Sequence, residues 1–133
     1  MRTLPKDAMV GERIRFYRNK KDIYGHDLAD LVGLSRHAIM DYENGRTEPV
    51  LEDLRKIAIA LNVDVDKLYD DYYKFLDYPC CQKIKELRKE RGLYQRELAA
   101  MLGSDRRTIE RWENGRGVIK RKTWEKFREL GLL

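Results

Sequence analysis

Residues 28–46 read LADLVGLSRHAIMDYENGR, and residues 98–116 read LAAMLGSDRRTIERWENGR. When the chain is shifted by 70 positions, residues 14–46 align with 84–116 without a gap, and 12 of the 33 aligned pairs are identical. Chance alone would give about two identities. The sequence therefore predicts two tandem copies of one unit, a first domain at 1–78 and a second at 79–133, with a short linker that contains Pro79.

Both copies are predicted to be helical. Apolar residues recur at helical spacing, and no segment shows the alternation of a strand. Gly33 and Gly103 stand where a tight reversal of the chain requires a positive φ. The fold class is therefore all-α, with five helices in the first copy and four in the second. The first copy's helices are predicted at about 8–20, 25–32, 36–43, 51–61 and 65–76; those of the second include 95–102, 106–113 and one marked by Trp124, Phe127 and Leu130.

Composition excludes several classes of protein. The 133 residues include 28 Lys and Arg against 23 Asp and Glu, a formal net charge of +5. No uninterrupted apolar run exceeds five residues, and the first residues lack the apolar stretch of a secretory signal, so we expect no membrane span and a cytoplasmic location. A Gly-rich phosphate loop, metal-ligand spacing and a nucleophile–base set are all missing from the sequence. We therefore expect neither an enzyme nor a cofactor or metal.

The two cysteines, Cys80 and Cys81, are adjacent. Their Cα atoms lie about 3.8 Å apart, which is closer than an ordinary disulfide allows. The two histidines, His26 and His37, are both more than 40 residues away. We interpret the cysteines as reduced thiols near a helix start, with a redox or metal role as the alternative.

The repeated stretch resembles the lambda-repressor-like family, also called Cro/C1-type or xenobiotic-response-element-type regulators. The shared signature is Leu-Ala-x-x-x-Gly, then Arg, then Ile, then an aromatic residue before Glu-Asn-Gly-Arg. The resemblance covers about 10–70 and 80–130, most of the chain. The positions that match are Leu28, Ala29, Gly33, Arg36, Ile39, Tyr42, Glu43, Asn44, Gly45 and Arg46, and again Leu98, Ala99, Gly103, Arg106, Ile109, Trp112, Glu113, Asn114, Gly115 and Arg116.

The resemblance implies that the second helix of each motif lies in the major groove of DNA and reads base edges. Arg can bind guanine through two hydrogen bonds, and Asp or Glu can accept one from cytosine. The implied readers are Ser35, Arg36, His37, Met40 and Asp41 in the first copy, and Asp105, Arg106, Arg107, Glu110 and Arg111 in the second. Phosphate contacts are implied for Asn44, Arg46, Gln95, Asn114 and Arg116, and Arg96 and Arg121 complete the predicted DNA-binding set.

The family also has a glutamine at the start of the motif's first helix, which Gln95 matches and Gly25 does not. The preceding residue is Tyr24 or Tyr94, and its ring either lies against the phosphate backbone or packs on the adjoining helix. The resemblance further implies two structural ion pairs that fix helix angles, Arg18 with Glu43 and Arg88 with Glu113.

Charge distinguishes the two copies. Residues 1–78 contain 13 basic and 15 acidic side chains, a net charge of −2, whereas residues 79–133 contain 15 and 8, a net charge of +7. Because affinity for DNA is largely neutralisation of phosphate, we expect the second copy to dominate it. The segment Lys120–Lys122 extends that basic surface.

These observations predict a sequence-specific double-stranded DNA-binding transcriptional regulator, a repressor of bacterial or phage origin. The alternative is a protein-interaction module of the antitoxin or anti-repressor type, in which DNA binding is secondary. A homodimer is left open. We also expect the outer face of the aromatic helix at 65–76, within the aromatic segment 65–78, to serve the second copy or a protein partner. That segment contains Val65, Leu68, Tyr69, Tyr72, Tyr73, Phe75, Leu76 and Tyr78.

Overall fold

The computed structural model describes residues 3–77 and 79–133, and within them the chain is helical without a strand. This confirms the all-α prediction. The chain divides into two compact units, Met1–Lys74 and Phe75–Leu133, called the first and second unit below. The boundary proposed from the sequence, between 78 and 79, lies slightly further along the chain, and Tyr78 is outside the described residues.

The first unit is built from four helices and a short C-terminal extension. They are α1 (Val10–Lys20), α2 (Gly25–Val32), α3 (Arg36–Glu43) and α4 (Leu51–Leu61), followed by a 3₁₀ helix (Val65–Lys67) and by α5 (Asp71–Asp77), which crosses into the second unit. The core is made by apolar side chains at helical spacing. The most deeply buried aliphatic ones are Ile14, Leu28, Ile39, Leu54, Ile57 and Leu68.

The predicted fifth helix at 65–76 is wrong as a single element, because Asp64 caps a short 3₁₀ helix and Asp70, inside the predicted range, caps the start of a second helix. The Asp64 carboxylate accepts the N–H of Asp66 at 3.2 Å, and the Asp70 carboxylate accepts the N–H of Tyr73 at 3.1 Å. Asp side chains that bond nearby backbone N–H groups compete with a continuous helix and favour a new start. Residues 68–70 therefore separate the 3₁₀ helix from α5.

The aromatic residues of this region are divided between the core and the surface. Tyr69, Tyr72 and Tyr73 are buried, and the Tyr73 hydroxyl donates to the Pro49 carbonyl at 2.6 Å, inside the first unit. Tyr73 also contacts the other two rings, with centroids 6.1 Å from Tyr69 and 5.2 Å from Tyr72. Phe75 and Leu76 are half-buried. That this segment serves the second copy or a partner stays a prediction.

Gly11 marks the point of closest approach between α1 and the end of α3. A Cβ atom at this position would overlap the carbonyl oxygen of Tyr42 and lie 2.8 Å from that of Glu43. In the second copy the equivalent position is Cys81, which has a side chain. The sequence does not reveal this constraint, because a single glycine near a helix start gives no sign of a contact more than 30 residues away.

Gly11→Ala is expected to destabilise the first unit by about 1–3 kcal/mol, the usual cost of extra volume in a packed contact. Gly25→Ala is the matched control. It also lies in the first turn of a helix, but a Cβ there would come no nearer than 3.9 Å to Ile39. Since alanine favours helices over glycine, the control should be neutral or stabilising by up to about 1 kcal/mol. Thermal unfolding followed by far-ultraviolet circular dichroism compares the two variants, and equal responses would contradict the close approach.

The second unit repeats the same plan. Its helices are α6 (Cys80–Glu90), α7 (Gln95–Leu102), α8 (Arg106–Glu113) and α9 (Arg121–Glu129). Ile84, Leu98 and Ile109 are fully buried, as are their counterparts Ile14, Leu28 and Ile39 in the first unit. Ile119 and Phe127 complete the core. The four predicted helices of the second copy are therefore confirmed.

Cys80 and Cys81 are half-buried free thiols in the first turn of α6. Burial raises the pKa of Cys80, and the neighbouring Cys81 raises it further. Among the described residues no group of three or more His, Cys, Asp or Glu side chains is arranged to hold a metal ion. In the same part of the chain, no helix has the length and apolar character needed to cross a membrane.

Candidate nucleic-acid interface

Each unit contains two helices joined by a tight turn whose conformation depends on glycine. α2 ends at Gly33 with φ 73°, and the N–H of Leu34 donates to the Ala29 carbonyl at 2.9 Å. α7 ends at Gly103 with φ 66°, and the N–H of Ser104 donates to Ala99 at 2.8 Å. A left-handed residue that returns the chain onto the end of the helix is a common helix stop. The turn thus sets the second helix of each motif at a fixed angle to the first.

The second helix of each motif begins with a side-chain cap. The Ser35 hydroxyl accepts the N–H of Ala38 at 3.1 Å, at the start of α3. At the start of α8, Asp105 is the capping residue. Its carboxylate accepts the N–H of Thr108 at 2.9 Å and the Thr108 hydroxyl at 3.0 Å.

These bonds to Thr108 lower the pKa of Asp105. Because the folded pKa is depressed, the stabilisation from the ionised cap is present above the pKa of the unfolded chain. It is lost as the pH falls through the lower folded pKa. At neutral pH the carboxylate therefore caps α8.

The predicted base readers share the solvent face of α3 and α8. Ile39 and Ile109 point into the cores, so residues on the other side of each helix face outward. Every proposed reader is exposed apart from Asp41, which is half-buried; on α3 they are Ser35, Arg36, His37 and Met40, and on α8 they are Asp105, Arg106, Arg107, Glu110 and Arg111. The structure thus brings each set together on one accessible helix face.

The two predicted ion pairs are present in nearly identical geometry. Arg18 donates from Nε and Nη2 to the two Glu43 oxygens, both at 2.8 Å, and Arg88 does the same to Glu113 at 2.7 and 2.9 Å. The third donor, Nη1, bonds a backbone carbonyl in each unit. Arg18 bonds that of Ile23 at 2.8 Å, and Arg88 bonds that of Leu93 at 2.9 Å. Each glutamate ends its recognition helix, so the pair fixes the angle of α3 or α8 to the first helix of its unit. The hydrogen bond to the carboxylate raises the pKa of both arginines.

The start of the motif's first helix differs between the units. The Gln95 amide donates to Glu113 at 3.4 Å, so Gln95 contacts the end of the recognition helix. Gly25 has no side chain to do this, and a cavity of about 420 Å³ lies there, lined among others by Arg15, His26, Arg36 and Asn44. The first unit therefore lacks a contact that the second unit makes.

Tyr24 and Tyr94 are 72% and 64% exposed. Their backbone N–H groups donate to Asp27 at 2.8 Å and Glu97 at 2.9 Å, which ties the start of each helix. The Tyr24 ring stacks on His26 with centroids 5.5 Å apart, and the Arg96 guanidinium lies 4.8 Å from the Tyr94 ring centre. Each ring thus contacts a side chain in the first turn of the adjoining helix and is also largely exposed, so the choice between the two alternatives stays a prediction.

The residues that follow the recognition helices are exposed in both units: Asn44, Arg46, Asn114 and Arg116. Arg46 lies 3.8 Å from the Asp41 carboxylate, so two predicted contacts in the first unit are themselves paired. Arg121 is half-buried at the start of α9, and Arg96 is exposed beside Tyr94.

Arg15 is a site residue that the sequence analysis missed. Its guanidinium donates to the Asn44 amide oxygen at 2.7 Å and to Glu43 at 3.3 Å, at the end of α3. The aligned residue in the second unit is Lys85. A basic residue directly after Ile14 and Ile84 in both copies was the signal in the sequence. Arg15 adds positive charge to the surface that contains the predicted readers.

The Cro/C1-type helix-turn-helix family model matches residues 14–68 and 84–130, more than half of the chain. The chain is 37% identical over 60 residues to the SPbeta prophage-derived uncharacterized HTH-type transcriptional regulator YonR of Bacillus subtilis (strain 168), across 45% of this chain and 56% of YonR. It is 27% identical over 77 residues to the cryptic phage CTXphi transcriptional repressor RstR of Vibrio cholerae, across 58% of this chain and 69% of RstR.

Among solved structures, the P22 c2 repressor protein in complex with synthetic operator 9T is 38% identical. That likeness covers 47% of this chain and 96% of the repressor chain, with a TM-score of 0.45. For YonR, by contrast, the present chain spans little more than half of the relative's length. The family match itself falls on both copies of the repeated stretch. The chain therefore belongs to the Cro/C1-type helix-turn-helix family, and it contains the family's motif twice.

Proposed function

We propose that the protein is a sequence-specific double-stranded DNA-binding transcriptional regulator that acts as a repressor in the cytoplasm of a bacterium. The observation that supports this best is the repeated recognition helix. In each unit a helix whose reading face is largely exposed is held at a fixed angle by an Arg–Glu pair that is mostly shielded from water. Such a helix fits the major groove, where its first turn reads base edges.

The names of the relatives support the same function. YonR is named as a transcriptional regulator and RstR as a transcriptional repressor, and neither name describes an enzyme. The antitoxin or anti-repressor alternative is not favoured by these names. With two motifs in one chain, a homodimer is not required for two recognition helices to meet the same duplex. A protein partner at 65–78 remains a separate proposal.

Within this function, we propose that the second unit supplies most of the affinity. Its residues from 79 onward have a net charge of +7, against −2 for residues 1–78. The proposed readers of the second unit are also more positively charged, because α8 has Arg107 and Arg111 where α3 has His37 and Asp41. The second unit also has Gln95 in contact with Glu113, a contact that Gly25 cannot make.

Alanine substitution of the readers should therefore have unequal effects. Arg107→Ala and Arg111→Ala are each expected to weaken operator binding by about 1–3 kcal/mol and to relax base preference. His37→Ala and Asp41→Ala, at the equivalent positions of α3, are expected to weaken it less. Titration of labelled operator with each variant measures the losses, and equal losses from both units would show that they contribute equally.

The experiment that tests the function itself is selection of bound fragments from random duplex DNA by the full chain. A recurring sequence among the bound fragments is the expected result. Loss of that enrichment in an Arg107→Ala/Arg111→Ala double variant would tie it to α8. A wild-type chain that enriches no sequence at low salt would contradict sequence-specific DNA binding.

A further inference from the structure

The two recognition helices, α3 and α8, have the same fully buried residue but differ in the side chains proposed to read bases. Arg36 and Arg106 are identical and exposed at the first position of each helix. The next three outward positions all differ in chemistry, pairing His37 with Arg107, Met40 with Glu110, and Asp41 with Arg111. The buried positions between them, Ile39 and Ile109, are unchanged. The proposed reading face therefore differs at three of these four positions, while the fully buried isoleucine is unchanged.

The surroundings of the shared arginine also differ. In α8, Nη1 of Arg106 lies 3.1 Å from the Glu110 carboxylate, one turn further along the helix. In α3 the corresponding neighbour of Arg36 is Met40, an apolar side chain that is 48% exposed. An exposed apolar side chain on such a face can contact the methyl group of thymine, whereas a carboxylate can accept a hydrogen bond from cytosine.

At the fourth outward position, Asp41 and Arg111 also have different surroundings. Asp41 is half-buried and lies 3.8 Å from Arg46, within its own unit. Arg111 is exposed, and its Nη2 atom lies 3.1 Å from the place where a Cβ on Gly117 would stand, so it extends beside the loop after α8. A carboxylate and a guanidinium at equivalent places cannot prefer the same base edge, because one accepts hydrogen bonds and the other donates them.

We infer that the operator of this protein consists of two dissimilar half-sites, read by one chain, and that it is not a palindrome of one element. This inference rests on the proposed function. The half-sites share the base pair that Arg36 and Arg106 contact, for which guanine is the expected partner. They diverge at the base pairs that face Met40 and Glu110, and Asp41 and Arg111. The second half-site is the richer in guanine contacts, since α8 presents three arginines.

The replacement variant His37→Arg/Met40→Glu/Asp41→Arg tests this directly, because it gives α3 the outward side chains of α8. All three positions lie on the outward face, and two of them, His37 and Met40, are exposed, so the fold should tolerate the change. Circular dichroism verifies folding. The matched control is Ile59→Gln, an exposed residue of α4 outside the recognition helices. Each protein is used as the full chain in selection from random duplex DNA.

Wild type and the Ile59→Gln control are expected to enrich a site with two different elements, and the replacement variant a site in which the second element occurs twice. The wild-type chain should also lose about 10-fold or more in affinity when its first half-site is replaced by a copy of the second, because single mismatches in such sites already have effects of this size. Enrichment of two identical elements by the wild type, or of one element alone, would overturn the inference while leaving DNA binding intact. No enrichment by any protein would instead contradict the proposed function.

Discussion

Raising the salt concentration from about 50 to 200 mM is expected to weaken operator binding by the full chain about 10³- to 10⁵-fold. The reason is the number of phosphates that two engaged motifs neutralise, about 6–10 in all, since each one releases condensed counterions. The exposed basic side chains available for this are concentrated in the second unit and include Arg96, Arg107, Arg111 and Arg116. Titrations at several salt concentrations give the slope of log affinity against log salt.

A pair of neutralising variants makes this measurement specific. Arg116→Gln removes one proposed phosphate contact after α8 and should reduce the steepness of the slope by about one. Lys67→Gln removes one exposed positive charge from the 3₁₀ helix, outside the proposed interface, and should leave the slope unchanged. Affinity that is insensitive to salt would be incompatible with phosphate contacts as the main source of binding.

The sequence predicted most helices well because local signals and the repeat agreed. α2, α3 and α4 begin and end where predicted, since Gly33 ends the first of these and Ser35 caps the second. The fifth helix was wrong as a single element because helical spacing of apolar residues does not reveal that Asp70 bonds the N–H of Tyr73 and caps a new helix. Such local competition depends on side-chain conformation, which a pattern of apolar residues does not contain.

The sequence was enough to predict which helices form the candidate site and which of their side chains face outward. Contacts between distant segments were not, unless the family resemblance supplied them, as it did for the Arg–Glu pairs. Gly11 and Arg15 are distant in sequence from the end of α3 that they contact, and neither belongs to the repeated signature. The repeat showed that Gly25 replaces the equivalent of Gln95. The structure shows that Gly25 lines a cavity at this position.

Glu113→Ala is expected to destabilise the second unit by about 3 kcal/mol, the lower end of the cost of breaking a buried ion pair. The side chains of Arg88 and Glu113 are 13% and 4% exposed, so removing the carboxylate leaves a guanidinium that water reaches poorly. The effect stays at the lower end because Arg88 keeps its bond to the Leu93 carbonyl at 2.9 Å. Urea unfolding followed by tryptophan fluorescence measures the loss in this unit, since both tryptophans, Trp112 and Trp124, lie there.

Two companion variants separate the lost pair from other causes. Glu43→Ala breaks the equivalent pair of the first unit, so it should lower helicity on heating but leave the tryptophan transition in place. Replacing both partners in Arg88→Met/Glu113→Leu should recover much of the stability lost in Glu113→Ala, because no buried charge is then left unpaired. The double variant should still bind the operator less well than wild type if the pair fixes the angle of α8. An unchanged tryptophan transition in Glu113→Ala would mean that water solvates Arg88 after all, and that apolar packing alone holds the recognition helix.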